Sequence, residues 1–224
     1  GENQPNIIDI ATKCIEYGAN GITLHPRPDE RHVKISDLKP IKNLVSNFKD
    51  IEFNIEGFPS ENFIKNVINI QPHQVTLVPD PPEALTSSFG WDCKENEQFL
   101  KEIVNKFKEN KIRVSLFIDP SIHHLHHLEN IMPNRVELYT FDYAHNFPKN
   151  KELAIKPYLE ITEYLKMNFN SIELNAGHDL NLYNLNYFLS KIPSIQEVSI
   201  GHAIVCDAFE YGLKLTIEKY LQII

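Results

Sequence analysis

The chain has 224 residues, of which 42% are hydrophobic and 23% charged, so it is long enough to bury a sizeable core. Its formal net charge of −8 argues against a general nucleic-acid surface, which needs a basic patch. An acidic chain can still bind small anions through a local cluster of Arg and His. No apolar run approaches the roughly 18 residues of a membrane span. The chain also starts without a signal-peptide pattern, so we expect neither nucleic acid nor a membrane as partner.

The three cysteines, Cys14, Cys93 and Cys206, are far apart and form no C-x-x-C pair. An odd number of widely spaced cysteines is typical of reduced thiols rather than of a disulfide framework. This pattern predicts free thiols and a cytoplasmic location.

Short runs rich in Val, Ile, Leu, Phe and Thr recur along the chain and have the length of strands. The stretches between most of them carry apolar residues at helical spacing. One such helix precedes the first run and ends near Gly18, and another begins at Ser60, a favourable N-cap. Alternation of strand and helix predicts parallel strands with helical crossovers. In chain order the predicted strands cover residues 21–26, 51–56, 74–80, 113–119, 135–140, 171–176 and 197–202.

This pattern favours an α/β fold of the (β/α)₈ TIM-barrel type with extra helices, forming a single domain over residues 1–224. A barrel of this type needs eight strands, and seven are predicted. We therefore expect the first strand to lie upstream of Gly1. The competing fold is an open doubly wound sheet, but the Gly-rich turn G-x-G-x-x-G that is typical of that fold is missing from the sequence.

A histidine-rich segment, "SIHHLHHLEN", covers residues 121–130. His123 and His127 are four residues apart, which makes a metal site conceivable. No Cys or nearby carboxylate pair completes a ligand set, so we expect a solvated helix and no metal.

Side chains that transfer protons follow most of the predicted strands, where parallel barrels place their active sites. One His or Glu at a strand end is more often structural, but many converging on one mouth indicate acid–base chemistry. No lysine ends a strand, which disfavours a Schiff-base aldolase. A metal-dependent hydrolase is disfavoured because no H-x-H pair ends a strand. The strand-end residues are His25, Arg27, Asn54, Glu56, Asp80, Asp119, Glu137, Thr140, His178 and His202.

The last two predicted strands end in the glycine-containing segments "NAGHD" (175–179) and "IGHAIVCDA" (200–208). In barrels, these two loops commonly bind phosphate through backbone N–H groups and a helix N-terminus. Gly177 and Gly201 would permit that close approach, although tight turns would also require glycine.

Six segments follow one another along the chain: "GANGITLHPRPDERHV", "FNIEG", "QPHQVTLVPDPPEALTSSFGWD", "RVELYT", "LNAGHDLN" and "IGHAIVCDAFEYGL". Together they resemble the pyridoxine 5′-phosphate synthase family over essentially the whole chain. The resemblance implies an octameric TIM barrel that condenses 1-deoxy-D-xylulose 5-phosphate with 3-amino-2-oxopropyl phosphate. Pyridoxine 5′-phosphate, inorganic phosphate and water are the implied products, and no metal or organic cofactor is implied.

The resemblance also implies roles for individual residues. His25 and Glu56 match proton acceptors, His178 matches the proton donor, and Glu137 matches a carboxylate that stabilises the transition state. The implied contacts to deoxyxylulose phosphate are Arg27, His32 and Thr86, and those to the phosphate of the aminoketone are Asp179, Gly201 and His202.

Three features depart from the family pattern. The segment that would carry the first strand is not in this chain, Asp179 stands where the family usually has Gly, and Phe141 follows "YT" where Gly is common. Two other functions remain open from the residues. One is a different sugar-phosphate isomerase or epimerase, in which Glu56 and a neutral His run enolisation. The other is a non-catalytic barrel that binds phosphate.

Overall fold

The computed structural model describes residues 5–80 and 88–224. Its central feature is a sheet of seven parallel strands in the order β1-β2-β3-β4-β5-β6-β7, so every strand pairs with its neighbours in the chain. Within the described ranges no pairing joins β7 to β1, and the barrel is nearly closed. The predicted α/β barrel fold with seven strands is confirmed. An eighth strand upstream of Gly1 stays a prediction.

Most strands are one to three residues shorter than the predicted runs, whereas β2 keeps the predicted length and β7 begins two residues earlier than predicted. The bounds are β1 Gly21–Leu24, β2 Glu52–Gly57, β3 Gln74–Leu77, β4 Arg113–Ile118, β5 Arg135–Tyr139, β6 Glu173–Gly177 and β7 Ile195–Ser199.

Helices connect the strands and cover the outside of the sheet. Asn6 caps the first helix by accepting from the backbone N–H of Ile8 at 2.9 Å, and Ser60 caps the third by accepting from Phe63 at 3.2 Å. The helices are α1 Ile7–Glu16, α2 Ile35–Val45, α3 Glu61–Ile70, α4 Glu97–Glu109, α5 Leu128–Ile131, α6 Phe141–Asn146, α7 Lys151–Asn168, α8 Leu185–Lys191, α9 His202–Tyr211 and α10 Leu213–Leu221, with a 3₁₀ turn at Ile122–Leu125. None of the helices in these described ranges is long and apolar enough to cross a membrane.

The chain after β7 forms two helices, α9 and α10. Gly212 has a φ of +76°, a left-handed value that glycine adopts without strain, and α9 ends immediately before it. The helix α10 begins at Leu213. It packs against α9 instead of continuing it, because the chain changes direction at Gly212.

On most strands, apolar residues of the outer face alternate with polar residues of the interior, although Phe117 and Tyr139 add an apolar cluster inside. On β2, Phe53 and Ile55 are fully buried in the apolar core between sheet and helices. The intervening Asn54 points inward, where its amide donates to Thr23 Oγ1 at 3.3 Å and to Thr76 Oγ1 at 3.1 Å. TIM barrels usually fill this interior with Val, Ile and Leu. Here polar and ionisable side chains occupy much of it, which places titratable groups on the barrel axis.

The amino-terminal end of the barrel is closed by two arginines and their partners. Arg135 donates from Nε to Glu173 at 2.8 Å and from Nη1 to Glu197 at 2.7 Å. Arg113 donates from Nε to Gln74 Oε1 at 2.8 Å and forms an ion pair with Glu52. Both guanidinium groups are therefore neutralised by carboxylates. This network of ion pairs and hydrogen bonds fills the amino-terminal end of the barrel interior.

The predicted free thiols agree with the structure, in which all three cysteines are unpaired. Cys93 is fully buried, and burial raises the pKa of its thiol to about 12, so this side chain is inert.

Candidate active site

The carboxyl-terminal end of the barrel brings His25 and Glu56 into direct contact. His25 follows β1 and Glu56 is the fifth residue of β2, and these two strands pair in parallel. His25 Nδ1 lies 2.9 Å from Glu56 Oε1, and the two side chains are 20% and 18% exposed. The pair is sheltered but open to the mouth, as a site for proton transfer to a bound molecule requires.

Glu137 does not lie at the end of its strand, where it was predicted, but deeper in the barrel. It is the third residue of β5, only 2% exposed, and points into the barrel, where Thr76 Oγ1 lies 3.4 Å from its Oε2. Gly177 on the neighbouring strand faces it, because a Cβ at that glycine would lie 2.3 Å from Glu137 Oε1. From the sequence, Gly177 was predicted to belong to a phosphate-binding loop. In the structure, the absence of a side chain at Gly177 leaves room for the Glu137 side chain.

The pKa values of the two inward-facing glutamates of the site are shifted in opposite directions. Burial alone would raise the pKa of Glu56, but the hydrogen bond with His25 and the charges of His25, Arg27 and His178 bring the pKa below its ordinary value. Burial raises the pKa of Glu137 well above its ordinary value, and the negative charges of Glu56 and Glu197 raise it further. Opposite shifts of two carboxyl groups in one site are typical of separate acid and base roles.

His178 occupies the loop after β6 and faces the same mouth. Its ring packs edge-on against Tyr139, with centroids 4.8 Å apart and planes at 88°, and more loosely against Phe141 at 6.1 Å. A cavity of about 450 Å³ is lined by His178, Tyr139, Phe141 and Asp119, among others. Since the charge of His178 lowers the pKa of Glu56, the proposed proton donor and proton acceptor share one electrostatic environment.

The cationic loop after β1 contributes Arg27 to the site. Its Nη1 lies 3.4 Å from Oδ2 of Asp80, a carboxylate that is only 4% exposed. Asp80 thus anchors the guanidinium beside the mouth. Arg31 pairs with Asp29 at 2.6 Å on the surface, and His32 is exposed in the same loop. Thr86 lies outside the described residues.

The loop after β7 leads into α9. Gly201 is the N-cap residue of this ten-residue helix, and an added Cβ there would meet nothing within 4 Å. His202, the first helical residue, is exposed, and its Nε2 lies 3.3 Å from the Cys206 thiol. The backbone N–H groups of the first turn are therefore accessible to an anion. Asp179 lies in the loop after β6. The distance between its Oδ2 and Nδ1 of His178 is 3.2 Å.

The histidine-rich segment does not form the single solvated helix that was predicted. A 3₁₀ turn at Ile122–Leu125 is followed by the short α5, with His127 between them at a φ of +69°. His127 contacts Glu97, and His124 Nδ1 lies 3.3 Å from Asp119 Oδ2. Among residues 5–80 and 88–224, no group of three or more His, Cys, Asp or Glu side chains is arranged to hold a metal ion.

Two contributors to the site were missed by the sequence reasoning. Tyr139 supports the His178 ring, and the Thr76 hydroxyl contacts Glu137. Both lie on strand positions that share the inward face with a named site residue, since Tyr139 follows Glu137 by two positions and Thr76 pairs with Glu56. The alternation of strand faces was the signal that could have found them.

Seven parallel strands, surrounding helices and an acid–base mouth define an α/β-barrel protein of the TIM-barrel class. Solved structures support the fold. Phosphoribosyl anthranilate isomerase from Thermotoga maritima superposes with a TM-score of 0.61 at 15% identity, covering 96% of this chain and 93% of that one. A structure described as native KDPGal superposes with a TM-score of 0.63 at 8% identity, covering 98% and 88% of the two chains.

Sequence comparison is more specific. The family model described as "Pyridoxal phosphate biosynthesis protein PdxJ" matches residues 1–224. A pyridoxine 5′-phosphate synthase from Cytophaga hutchinsonii is 49% identical over 222 residues, 99% of this chain and 91% of that protein. The synthase from Bacteroides fragilis is 46% identical over 220 residues, covering 98% and 90% of the two proteins. The chain belongs to the PdxJ family. The predicted family and its function as a transferase-type synthase of pyridoxine biosynthesis are thereby confirmed.

Proposed function

We propose that this chain condenses 1-deoxy-D-xylulose 5-phosphate with 3-amino-2-oxopropyl phosphate to give pyridoxine 5′-phosphate, inorganic phosphate and water. Family membership supports the reaction. The observation that carries the site assignment is the contact between His25 and Glu56 at 2.9 Å above the buried Glu137, with the pKa values of the two glutamates shifted in opposite directions. Carbon–nitrogen bond formation, phosphate elimination and ring closure all move protons, and two carboxyl groups of different pKa suit that sequence.

The local environment of each residue supports its role. The pKa of Glu56 is lowered and its carboxylate pairs with His25, so these two accept protons, with either passing a proton to the other across 2.9 Å. The pKa of Glu137 is raised in the barrel interior, which favours its protonated form, and that form stabilises negative charge developing on a substrate oxygen by donating a hydrogen bond. His178 donates protons to leaving hydroxyl groups from the opposite side of the mouth.

Two phosphorylated substrates require two anion sites. Arg27, held by Asp80, together with His32 and Thr86 forms the first, for deoxyxylulose phosphate. The second, for the phosphate of the aminoketone, comprises the backbone around Asp179 and Gly201 with His202 at the start of α9. No metal or organic cofactor takes part in the proposed reaction.

An assay with both phosphorylated substrates tests the proposal. We expect pyridoxine 5′-phosphate to form, detected by mass spectrometry, only when both substrates are present. Failure to form product under conditions where the Cytophaga hutchinsonii relative is active would overturn it. Interconversion of a single sugar phosphate without the aminoketone would instead support the isomerase function.

We also propose that residues 1–224 act as one barrel domain and assemble into a homo-octamer in the cytoplasm. The family resemblance supports this, and exposed apolar side chains on α9 such as Val205 and Phe209 offer surface for self-association. Light scattering on the purified chain measures the assembly, and a monomer at micromolar concentration would contradict it.

A further inference from the structure

The backbone turns sharply where β6 ends at the mouth of the barrel. His178, the first residue after the strand, has a φ of +86°, and the following Asp179 has a φ of +60°. Residues other than glycine adopt such left-handed values rarely, and two in succession persist only where the surroundings hold the backbone in place. In an extended conformation the His178 side chain would leave the chain in another direction. The position of this imidazole therefore depends on whatever fixes the loop.

Thr140 holds the loop from the end of the neighbouring strand β5. Its backbone N–H donates to the carbonyl of Gly177 at 3.0 Å, and its hydroxyl donates to the same carbonyl at 2.8 Å. The hydroxyl also donates to the carbonyl of His178, so its one proton is shared between two oxygens. These carbonyls belong to the two planar peptide groups on either side of the His178 Cα. Thr140 thus fixes both peptide planes, and with them the backbone conformation of His178.

Thr140 is itself held firmly in place. It is fully buried and stands at the N-cap position of α6, where its carbonyl accepts from the backbone N–H of Ala144 at 2.9 Å. The carbonyl of the preceding Tyr139 accepts from the Tyr158 hydroxyl at 2.8 Å. Because solvent does not reach Thr140, its hydroxyl acts on the loop and not on a molecule bound in the mouth.

The contacts beyond Thr140 confine the rest of the loop and the imidazole. The Asn184 amide donates to the carbonyl of Asp179 at 3.2 Å, which holds the second left-handed residue. Tyr139 packs edge-on against the His178 ring, with centroids 4.8 Å apart and planes at 88°. The ring can make this contact only while the backbone of His178 keeps its conformation.

We infer that Thr140 is a positioning residue for His178. Its hydroxyl holds the backbone of His178 in the left-handed conformation, and that conformation directs the imidazole toward the mouth and against Tyr139. The inference rests on the proposed function, in which His178 is the proton donor. Thr140 touches neither substrate in this role and acts through His178 alone.

Kinetics of Thr140→Val and Thr140→Ser test the role. Valine has the shape of threonine but no hydroxyl, so the His178 carbonyl loses its hydrogen bond, whereas serine keeps the donor. We expect Thr140→Val to lower kcat by about tenfold, part of the roughly 10²–10⁴-fold that a positioned acid contributes. The KM for deoxyxylulose phosphate should stay unchanged, because Arg27 lies on another loop. Thr140→Ser should keep kcat near that of the unmodified chain, and a loss as large as that of Thr140→Val would contradict the role of the hydroxyl.

Thr12→Val is the matched control. Thr12 Oγ1 donates to the carbonyl of Ile8 at 2.8 Å, so this variant also loses a hydrogen bond from a threonine hydroxyl to a carbonyl, but on the outer helix α1. It should leave kcat unchanged. Should Thr140→Val fail to fold, Thr140→Ala removes the hydroxyl without placing a methyl group beside the carbonyls, and the same loss of kcat is expected.

The competing explanation is that the Thr140 hydroxyl only stabilises the fold. It predicts a lower urea midpoint for Thr140→Val with an unchanged kcat of the folded protein, and that result would overturn the proposal. In a His178→Ala background, Thr140→Val should have no further effect on kcat, because the ring that Thr140 positions is already missing. A further loss of kcat in that background would also reject the proposal.

NMR of the His178 ring gives a readout that does not depend on turnover. The Tyr139 ring lies edge-on to the imidazole, so its ring current shifts the resonances of the imidazole protons. Thr140→Val should move these resonances toward those of an exposed histidine, and Thr140→Ser should leave them in place. Identical His178 resonances in Thr140→Val and the unmodified chain would overturn the proposal. If the unmodified chain forms no pyridoxine 5′-phosphate while the resonances move, the proposed function fails and the positioning of His178 by Thr140 stands.

Discussion

The two ends of the barrel use the same kinds of residue for opposite purposes. At the amino-terminal end, carboxylates meet arginines, and both Arg113 and Arg135 are held by two or more partners. At the carboxyl-terminal end, Glu56 meets His25, and Glu137 deeper in the barrel contacts the Thr76 hydroxyl. An arginine is also present there, since Arg27 pairs with Asp80. Arginine stays charged and holds an anion, whereas histidine exchanges protons near neutral pH. A histidine paired with a barrel carboxylate therefore distinguishes the chemical end from the structural end.

The sharpest test of this comparison removes one carboxylate from each end. We expect Glu56→Gln to lower kcat by roughly 10²–10⁴-fold, because His25 loses its partner and the site loses its base. Glu173→Gln, which removes a carboxylate from Arg135, should leave kcat nearly unchanged. Steady-state kinetics measures both, with circular dichroism as the check on folding. Comparable kcat values for the two variants would contradict the division between the ends.

Stability should respond in the opposite way. Arg135→Met leaves Glu197 in the barrel without its 2.7 Å partner, and breaking a buried ion pair costs about 3–5 kcal/mol in the free energy of unfolding. Urea denaturation measures the loss. Arg31→Met, whose partner Asp29 is on the surface, is the matched control and should leave the denaturation midpoint in place. An equal midpoint for both variants would show that the amino-terminal network is not structural.

A smaller effect is expected from a methyl group inside the mouth. Gly177→Ala places a Cβ 2.3 Å from Glu137 Oε1, so the carboxyl group must move. Overpacking of this kind costs about 1–3 kcal/mol of stability, and displacing Glu137 should lower kcat as well. Gly201→Ala meets no neighbour within 4 Å and should leave stability unchanged while raising KM for the aminoketone phosphate. A stable Gly177→Ala variant with normal kcat would show that Glu137 is not needed where it lies.

The pH dependence of stability gives the smallest signal. The pKa of Glu137 is raised in the folded state, so its contribution favours folding at low pH and is lost as pH rises from the unfolded value toward the folded value. Over that window the free energy of unfolding falls by at most about 1.4 kcal/mol per pH unit from this group. Glu137→Gln should remove this decline, measured by urea denaturation at a series of pH values. Glu61→Gln, exposed on α3, is the control and should keep the decline. An unchanged slope in Glu137→Gln would mean that Glu137 is ionised in the folded protein.

The contacts between strands were less predictable than the strands themselves. The sequence placed His25, Glu56 and His178 at one edge of the sheet because parallel strands end at the same edge, a rule that needs only the strand positions. Thr76 and Tyr139 were missed because they look like ordinary strand residues, and only the pairing register places them beside Glu56, Glu137 and His178. Residues 141–146 form the short helix α6, which buries Tyr143 although the segment also carries polar residues.

The sequence by itself determined the alternation of strands and helices, the family and the types of group at the mouth, because these depend on periodicity and on motifs within short segments. Only the tertiary structure decided in which direction the pKa of each carboxyl group is shifted. Glu56 and Glu137 are the same residue type, and their pKa values diverge through burial, a histidine partner and the charge of a neighbour on another strand. Such effects act between residues far apart in the chain and near in space, so no local pattern contains them.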